Sequence, residues 1–389
     1  GLEYRYIRSR QSFGAASYYQ YQENSIERVR EFRDGLSNLS RPEDADNNRW
    51  RLQFNHREDL PGGVKLMADI DLVSDDEYFI DFGKGTSERS LESTESNVSA
   101  SWNWSVFSLV GQFRFFNNLL ADDALTLQRL PEVSMSSMEK KVFSTPLYVS
   151  SESSFVNFWR KEGVKGQRID IHPRVSLPMS PGGWVDFTPS FGPRATFYLV
   201  DNHPDGAWFE RYSYDISADL TTTFVKVFGV DMPSLKALRH TMRPGLLYTY
   251  IPEIDQTGLP EFDALDRIAA ANSLTYSFNS TLTGKLTDGD KSSYLDYLYL
   301  DIRQSYNLHE AQRELVSPTD ERKPFSDITG ELIIKPSMWA SGTARGSFDA
   351  YENRFNTYDL AFAASDKRGD NLNIAHRYVR DGANYLEGA

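Results

Sequence analysis

The sequence predicts an all-β protein that crosses a membrane as an antiparallel up-and-down β-barrel. Two observations lead to this prediction: long runs in which polar and apolar side chains alternate, and connections between these runs that alternate between short and long. We count about eighteen such runs along the chain, within the range of strand numbers that large barrels use. We expect the whole chain, residues 1–389, to form one barrel domain.

The longest clean alternation covers residues 184–199. Its odd positions, from Val185 to Leu199, are all apolar or proline, whereas its even positions carry Asp186, Arg194, Tyr198 and other mostly polar side chains. Successive side chains in a strand point to opposite faces of a sheet. Strands of soluble proteins average about 5 to 6 residues, but a tilted strand needs roughly 9 to 11 to cross a bilayer. The run therefore indicates a wall strand between lipid and water.

Other runs repeat this pattern less regularly. Residues 97–104, 167–177 and 273–285 alternate in the same way, whereas residues 294–306 mix leucine and aspartate on both faces. Three prolines lie inside strand-like runs, where a residue without an N–H cannot donate to the sheet. We therefore predict bulges or local breaks at Pro189, Pro193 and Pro244.

The connections predict an orientation. Outer-membrane barrels carry short periplasmic turns on one rim and longer extracellular loops on the other. We expect the long segments to face outside the cell and the short ones to face the periplasm, with a further tight turn near Arg10. The long segments are 24–48, 74–96, 252–270 and 307–324, and the short ones are 60–63, 178–183, 229–234 and 335–337.

Composition excludes several classes of protein. The net charge of −13 argues against a nucleic-acid partner, because phosphate binding needs a basic surface. A mean hydropathy of −0.52 and the absence of a long apolar run exclude a helical membrane protein. Aromatic residues, at 13%, suit the aromatic girdles of a barrel, although they also suit the core of a soluble all-β protein. The chain contains no cysteine and thus no disulfide or thiolate metal site.

The sequence does not predict an enzyme, a metal site or a cofactor. The six histidines are scattered, and none forms the His-Glu-x-x-His pair that binds zinc. There is no nucleophile elbow, phosphate-binding loop or dinucleotide motif. Asp44, Asp46 and Asn48 alternate as in a calcium-binding loop, but the rest of that motif is missing, so we interpret them as a solvated loop.

Arginines on the polar strand faces are the best candidates for ligand binding. By parity they point to the inside of the barrel, where planar guanidinium groups could bind the phosphates of an anionic amphiphile. The alternative is that each arginine only balances an aspartate on a neighbouring strand. The candidates are Arg168, Arg174, Arg194, Arg239 and Arg243, and the possible partners are Asp170, Asp186, Asp215 and Asp219.

Several strings resemble the LptD family of outer-membrane proteins, which assemble lipopolysaccharide (LPS). The resemblance is carried in order by EYRYI at 3–7, SDDEYFIDF at 74–82, RHTMRP at 239–244 and LDRIAAAN at 265–272. Residues 166–173 and 189–198 are also similar. The resemblance covers residues 3–272 and is weaker after position 307.

The resemblance implies a very large barrel in the bacterial outer membrane, near the ~26-strand end of the known range. It implies three partners besides the outer-membrane lipids: LPS itself, an LptE-type plug lipoprotein, and a periplasmic LPS-bridge protein that docks on a preceding jellyroll domain. We expect the jellyroll and the terminal barrel strands to be absent from this chain, which would be truncated at both ends. A general or substrate-specific porin is the alternative function.

Overall fold

The computed structural model describes residues 2–9, 12–21, 49–120, 123–230, 232–289, 291–366 and 368–388. These residues form twenty β-strands and a few short helices, where the sequence predicted about eighteen strands. The predicted loop at 24–48 and the predicted turn near Arg10 lie outside the described residues. Among the described residues, no helix is both long and apolar enough to cross a membrane.

The first ten strands are β1 Leu2–Ser9, β2 Ser12–Tyr21, β3 Arg49–Leu60, β4 Val64–Val73, β5 Ser93–Trp104, β6 Phe107–Asn118, β7 Gln128–Lys141, β8 Tyr148–Trp159, β9 Lys165–Ser176 and β10 Val185–Asp201. The second ten are β11 Trp208–Thr222, β12 Phe224–Gly229, β13 Leu235–Ile251, β14 Ala271–Asp288, β15 Lys291–Asn307, β16 Ile328–Ser337, β17 Ala340–Asp349, β18 Arg354–Ser365, β19 Asn371–Val379 and β20 Asn384–Gly388. The described connections contain three short α-helices: α1 Tyr78–Phe82, α2 Thr86–Arg89 and α3 Leu308–Gln312.

All twenty strands form one sheet in which neighbours in sequence pair antiparallel. One exception occurs, where β11 and β12 both pair with β13. Strands β1 and β20 stand at the two ends, and no pairing between them is found within the described ranges. This arrangement confirms the predicted up-and-down fold of a barrel wall.

The two faces of the sheet are opposite in character. On one, which we call the outer face, apolar side chains are exposed: Ile169 is 44% exposed and Phe191 47%. On the other, the inner face, several polar side chains are buried, among them Arg168 and Thr196, which are 2% and 0% exposed. A sheet in water would bury its apolar face instead. The pattern is that of a barrel wall with lipid outside, so it confirms the predicted alternation and disfavours the soluble alternative.

Prolines interrupt the sheet at two places. Pro244 lies in β13 opposite Thr222, and the partner strand breaks at Thr223 into β11 and β12. The β9–β10 register sets Pro193 opposite Pro173, and residues 192–194 make no ladder pair with β9. The breaks predicted at Pro244 and Pro193 are therefore confirmed. Pro189 lies just beyond the β9–β10 ladder, which ends at Ser190, and like Pro193 it keeps an unbroken register with β11, so no bulge is found there.

An irregularity in β15 explains why residues 294–306 fit the alternation poorly. The β14–β15 register shifts between Leu282 and Thr283, which leaves Tyr297 as an extra residue. Before the shift Leu295 lies on the outer face, and after it Leu298 and Leu300 do. One extra residue reverses the parity of a strand, because side chains alternate with a period of two.

The connections are sorted by length between the two rims of the sheet. The long segments 74–92, 252–270 and 308–327 leave from one rim, which we call the long-loop rim. The turns 61–63, 177–184, 230–234 and 338–339 lie on the opposite, short-turn rim. The last of these follows the predicted 335–337 turn, because β16 continues through Ser337. Tyr78 and Phe79 of the 74–92 segment form a small apolar core with Leu119.

Candidate functional site

The inner face brings the five candidate arginines onto one surface. Arg168 and Arg174 lie on β9, Arg194 on β10, and Arg239 and Arg243 on β13. In the register, Arg168 stands opposite Tyr198, and Arg243 stands opposite Asn279. Their surroundings divide them into two groups, one enclosed by ion pairs and one open.

Arg168 anchors the long segment 252–270 to the inner face. Its guanidinium donates to Asp263 at 2.6 Å through Nη1 and 3.0 Å through Nη2, and to Asp266 at 2.7 Å. The same Asp266 oxygen accepts from the Tyr198 hydroxyl at 2.9 Å. The ring of Phe158 lies under the guanidinium of Arg168, at 5.0 Å. The segment is thus fixed against β8, β9 and β10.

Asp266 can be fully buried because the segment itself satisfies its second oxygen. The backbone N–H groups of Phe262 and Asp263 donate to this oxygen at 2.7 and 2.9 Å. Asp263 in turn accepts from the backbone N–H of Leu265, so the two aspartates cap a short 3₁₀ turn at Ala264–Asp266. A buried carboxylate is stable only when its acceptor sites are filled in this way.

Burial raises the pKa of Asp263, but the hydrogen bond and the charge of Arg168 lower this pKa by more. The net result is a carboxyl whose pKa lies below its ordinary value. Arg129 adds a second cation, with its Nη2 at 3.1 Å from Asp263. The electrostatics of the site therefore keep Asp263 ionised and attached.

Arg211 on β11 provides a second attachment for the same segment. It is buried and donates to Thr196 Oγ1 and the Leu265 carbonyl at 2.9 Å, and to Gln256 Oε1 at 3.3 Å. Gln256 spans the segment, because its Nε2 donates to the Ile268 carbonyl at 2.9 Å. Sequence reasoning missed this inward fold of 252–270, although the segment contains part of a string that resembles the LptD family.

Two of the candidate arginines form ion pairs with aspartates named in the alternative prediction, Arg194 with one on the neighbouring strand and Arg174 with one two strands away. Arg194 donates to Asp170 at 2.9 to 3.1 Å. Arg174 Nη2 lies 2.6 Å from Asp215, whose other oxygen is 2.6 Å from Nε2 of His172. Of the other predicted partners, Asp186 accepts from the Ser180 hydroxyl instead.

Arg239 and Arg243 form the open group. Both are exposed, and Arg243 makes only a long hydrogen bond of 3.4 Å to Thr221 Oγ1. Across the described part of the chain, no carboxylate lies within ion-pair distance of either arginine. Exposed guanidinium groups without a carboxylate partner are available to an anion.

A second anchor, which sequence reasoning missed, holds the segment 74–92. Arg49 is buried and donates to Asp75 at 2.9 and 2.5 Å and also to Asp81. Its guanidinium lies 5.0 Å from the ring of Phe82. Both aspartates belong to the SDDEYFIDF string. One of the strings that resemble the LptD family therefore also provides the partners of Arg49.

An up-and-down sheet with an apolar outer face and a polar, loop-covered inner face defines the class of transmembrane β-barrel proteins. Within that class, residues 47–388 match the family model of LptD, LPS transport system D. The match covers most of the chain, and the chain belongs to this family.

Relatives agree with the family assignment. The chain is 27% identical to the LPS-assembly protein LptD of Nitrosococcus oceani over 89% of its own length, and 27% identical to that of Nitrosospira multiformis over 87%. It is 24% identical to the LptD of Cupriavidus necator over 86%. It spans between 38% and 49% of these three relatives, about half of their length or less. The family assignment disfavours the porin alternative.

Proposed function

We propose that this chain forms part of the wall of an outer-membrane translocon that assembles LPS into the outer leaflet. The family match and the names of its relatives support this function. The physical requirement for moving an amphiphile is a wet, anion-tolerant surface for phosphosugars beside an apolar surface for acyl chains. The two faces of this sheet have those two properties.

The observation that carries the proposal is the pair of inner-face arginines, Arg239 and Arg243, for which the described residues provide no ion-pair partner. Arg239 and Arg243 bind LPS phosphates directly, because each offers exposed donors and no carboxylate of a described residue lies within ion-pair distance. Arg168, Arg174 and Arg194 line the same route, but their contacts with LPS are weaker because aspartates already bind them. The translocon provides a path rather than a reaction, so the protein is not an enzyme and needs no cofactor.

The partners follow from the same proposal. Outer-membrane lipids cover the outer face, and an LptE-type lipoprotein plugs the barrel on the inner side. A periplasmic bridge protein delivers LPS through a jellyroll domain of the full-length protein. In this arrangement the long-loop rim faces outside the cell, and the short-turn rim faces the periplasm.

Charge reversal in the full-length protein tests the route. The double variant Arg239→Glu/Arg243→Glu should reduce surface LPS by at least about tenfold, because a repulsive wall replaces an attractive one. Arg322→Glu, an exposed position in the 308–327 segment, is the matched control and should leave surface LPS unchanged.

A photo-crosslinking amino acid at Thr241, between the two arginines on the inner face, gives a second readout. It should capture LPS only while cells supply energy for transport. Normal transport without any LPS crosslink at this position would contradict the proposed route.

A further inference from the structure

Strand β12 extends past its neighbour on one side. Strand β10 begins at Val185, which pairs with Thr222 of β11. Strand β12, Phe224–Gly229, therefore lies beyond the end of β10 and pairs only with β13. Within the described part of the chain, no backbone hydrogen bond reaches its other edge. The result is a free six-residue strand edge on the short-turn rim.

The free edge lies outside the apolar band that contacts lipid. On the outer face of β11 and β12, the band runs from Tyr212 to Leu220, which matches the roughly 9 to 11 residues that a tilted strand needs to cross a bilayer. After Thr222, the next two residues on the outer face are Phe224 and Lys226. A lysine on the outer face marks the end of the hydrocarbon, because a charge there is costly.

This edge exposes apolar side chains on both faces. Val225 and Val227, 58% and 62% exposed, share the inner face with Thr241 and Arg239. Phe224 and Phe228, 54% and 43% exposed, share the outer face with Met242 and Leu238. A free, apolar strand edge in water is a template for pairing with another chain. The free edge of β12 therefore indicates a binding site for another strand.

The charges around the edge of β12 indicate which kind of strand binds there. Between positions 224 and 242 the sequence carries three cations, Lys226, Lys236 and Arg239, against a single carboxylate, Asp231. Pairing β12 with a second copy of itself would set the two Lys226 side chains close together, and like charges across strands destabilise a pair. An extended segment with acidic side chains complements both the apolar and the basic character of this edge.

We propose that the free edge of β12 binds an extended, acidic strand of a partner protein by β-strand addition on the short-turn side of the membrane. Backbone hydrogen bonds to residues 224–229 supply the affinity in this mode of recognition. Alternate side chains of the partner contact Val225 and Val227 on one face and Phe224 and Phe228 on the other. The inference does not depend on the LPS route.

The probe is a heptapeptide of alternating valine and glutamate with fluorescein attached to its N-terminus, added to the full-length protein purified in detergent. Fluorescence anisotropy should give micromolar binding for this peptide and at least about tenfold weaker binding for its valine–lysine counterpart. Lys226→Glu should reverse that order of affinities. Lys291→Glu, the same charge change at an exposed position at the start of β15, is the control and should not.

A peptide that is N-methylated at every second amide keeps its side chains but loses the backbone donors along one edge. It therefore distinguishes β-strand addition from non-specific binding to an apolar surface. It should lose binding, because it cannot complete the ladder with β12. Equal binding of the methylated peptide would overturn the proposal, and so would the absence of binding at millimolar peptide. Self-association of the protein that competes with the peptide would assign the edge to a second copy instead, and this outcome also contradicts the proposal.

Discussion

Arg168 on β9 donates to Asp266, 98 positions further along the chain, over 2.7 Å. Both side chains are buried, and the contact fixes the 252–270 segment against the inner face. Removing one partner of a buried ion pair leaves an uncompensated charge, at a cost of about 3 to 5 kcal/mol. The anchored segment is therefore an integral part of the wall rather than a free external loop.

Asp266→Ala tests this anchor. We expect the segment to loosen, because Tyr198 loses its acceptor and Arg168 keeps only one of its two carboxylates, Asp263, and limited proteolysis should then cut within 252–270. The free energy of unfolding should fall by about 1 to 3 kcal/mol, the cost of leaving buried hydrogen-bonding groups unsatisfied. Glu261→Ala, at an exposed position of the same segment, is the control and should stay resistant. Equal resistance of both variants would show that the anchor lies elsewhere.

The pH dependence of the anchor follows from Asp263. Its pKa is depressed in the folded protein, whereas in an unfolded chain it is about 3.9. A depressed pKa adds stability that is present above the unfolded value and lost as the pH falls through the folded value. Amides of residues 262–266 should therefore stay protected from hydrogen exchange at pH 5 and lose protection only below about pH 4. Loss of protection already between pH 6 and 5 would contradict this assignment.

Two adjacent residues in the middle of β5 lie on opposite faces of the sheet. Val98 is exposed on the outer face, and Ser99 lies on the inner face. Val98→Arg should destabilise the protein in liposomes by about 2 to 4 kcal/mol, because it places a charge in lipid. Ser99→Arg should have little effect on the urea unfolding midpoint. Equal midpoints for the two variants would exclude a lipid-facing outer surface.

Gly192 leaves space for the polar cluster between β9, β10 and β11. A Cβ there would lie 2.6 Å from Asp215 Oδ1 and 2.8 Å from His172 Nε2. Gly192→Ala should therefore lower the free energy of unfolding by about 1 to 3 kcal/mol, the usual cost of overpacking. Gly111→Ala on β6 is the matched control, because no atom lies within 4 Å of the position that its new methyl group would take. A similar change in both variants would rule out this packing argument.

Much of the fold was predictable because its determinants are local. The run that contains Val185 and Leu199 alternates over adjacent residues, and Pro244 breaks a strand by its own missing N–H. The bulge at Tyr297 was not predictable, because nothing in the sequence marks which residue of β15 is left without a partner. The alternation of polar and apolar residues therefore predicts the strands of the barrel wall, but not the position of the bulge in β15.

The site was predictable only in part. Parity located the five candidate arginines, and the pairing of Arg194 with Asp170 lies between neighbouring strands. The partners of Arg168 and Arg49 lie in loops, and the Arg168 contacts cross more than ninety positions, which no periodicity can encode. Which arginines remain open to an anion thus depends on how the loops fold.

We propose that the full-length protein assembles LPS at the cell surface. The most direct test is to deplete this protein and measure surface LPS by its accessibility to an LPS-modifying enzyme added outside the cells. We predict that newly made LPS stops reaching the surface, and that the wild-type protein restores it whereas Arg239→Glu/Arg243→Glu does not. Normal arrival of new LPS at the surface after depletion would contradict the account.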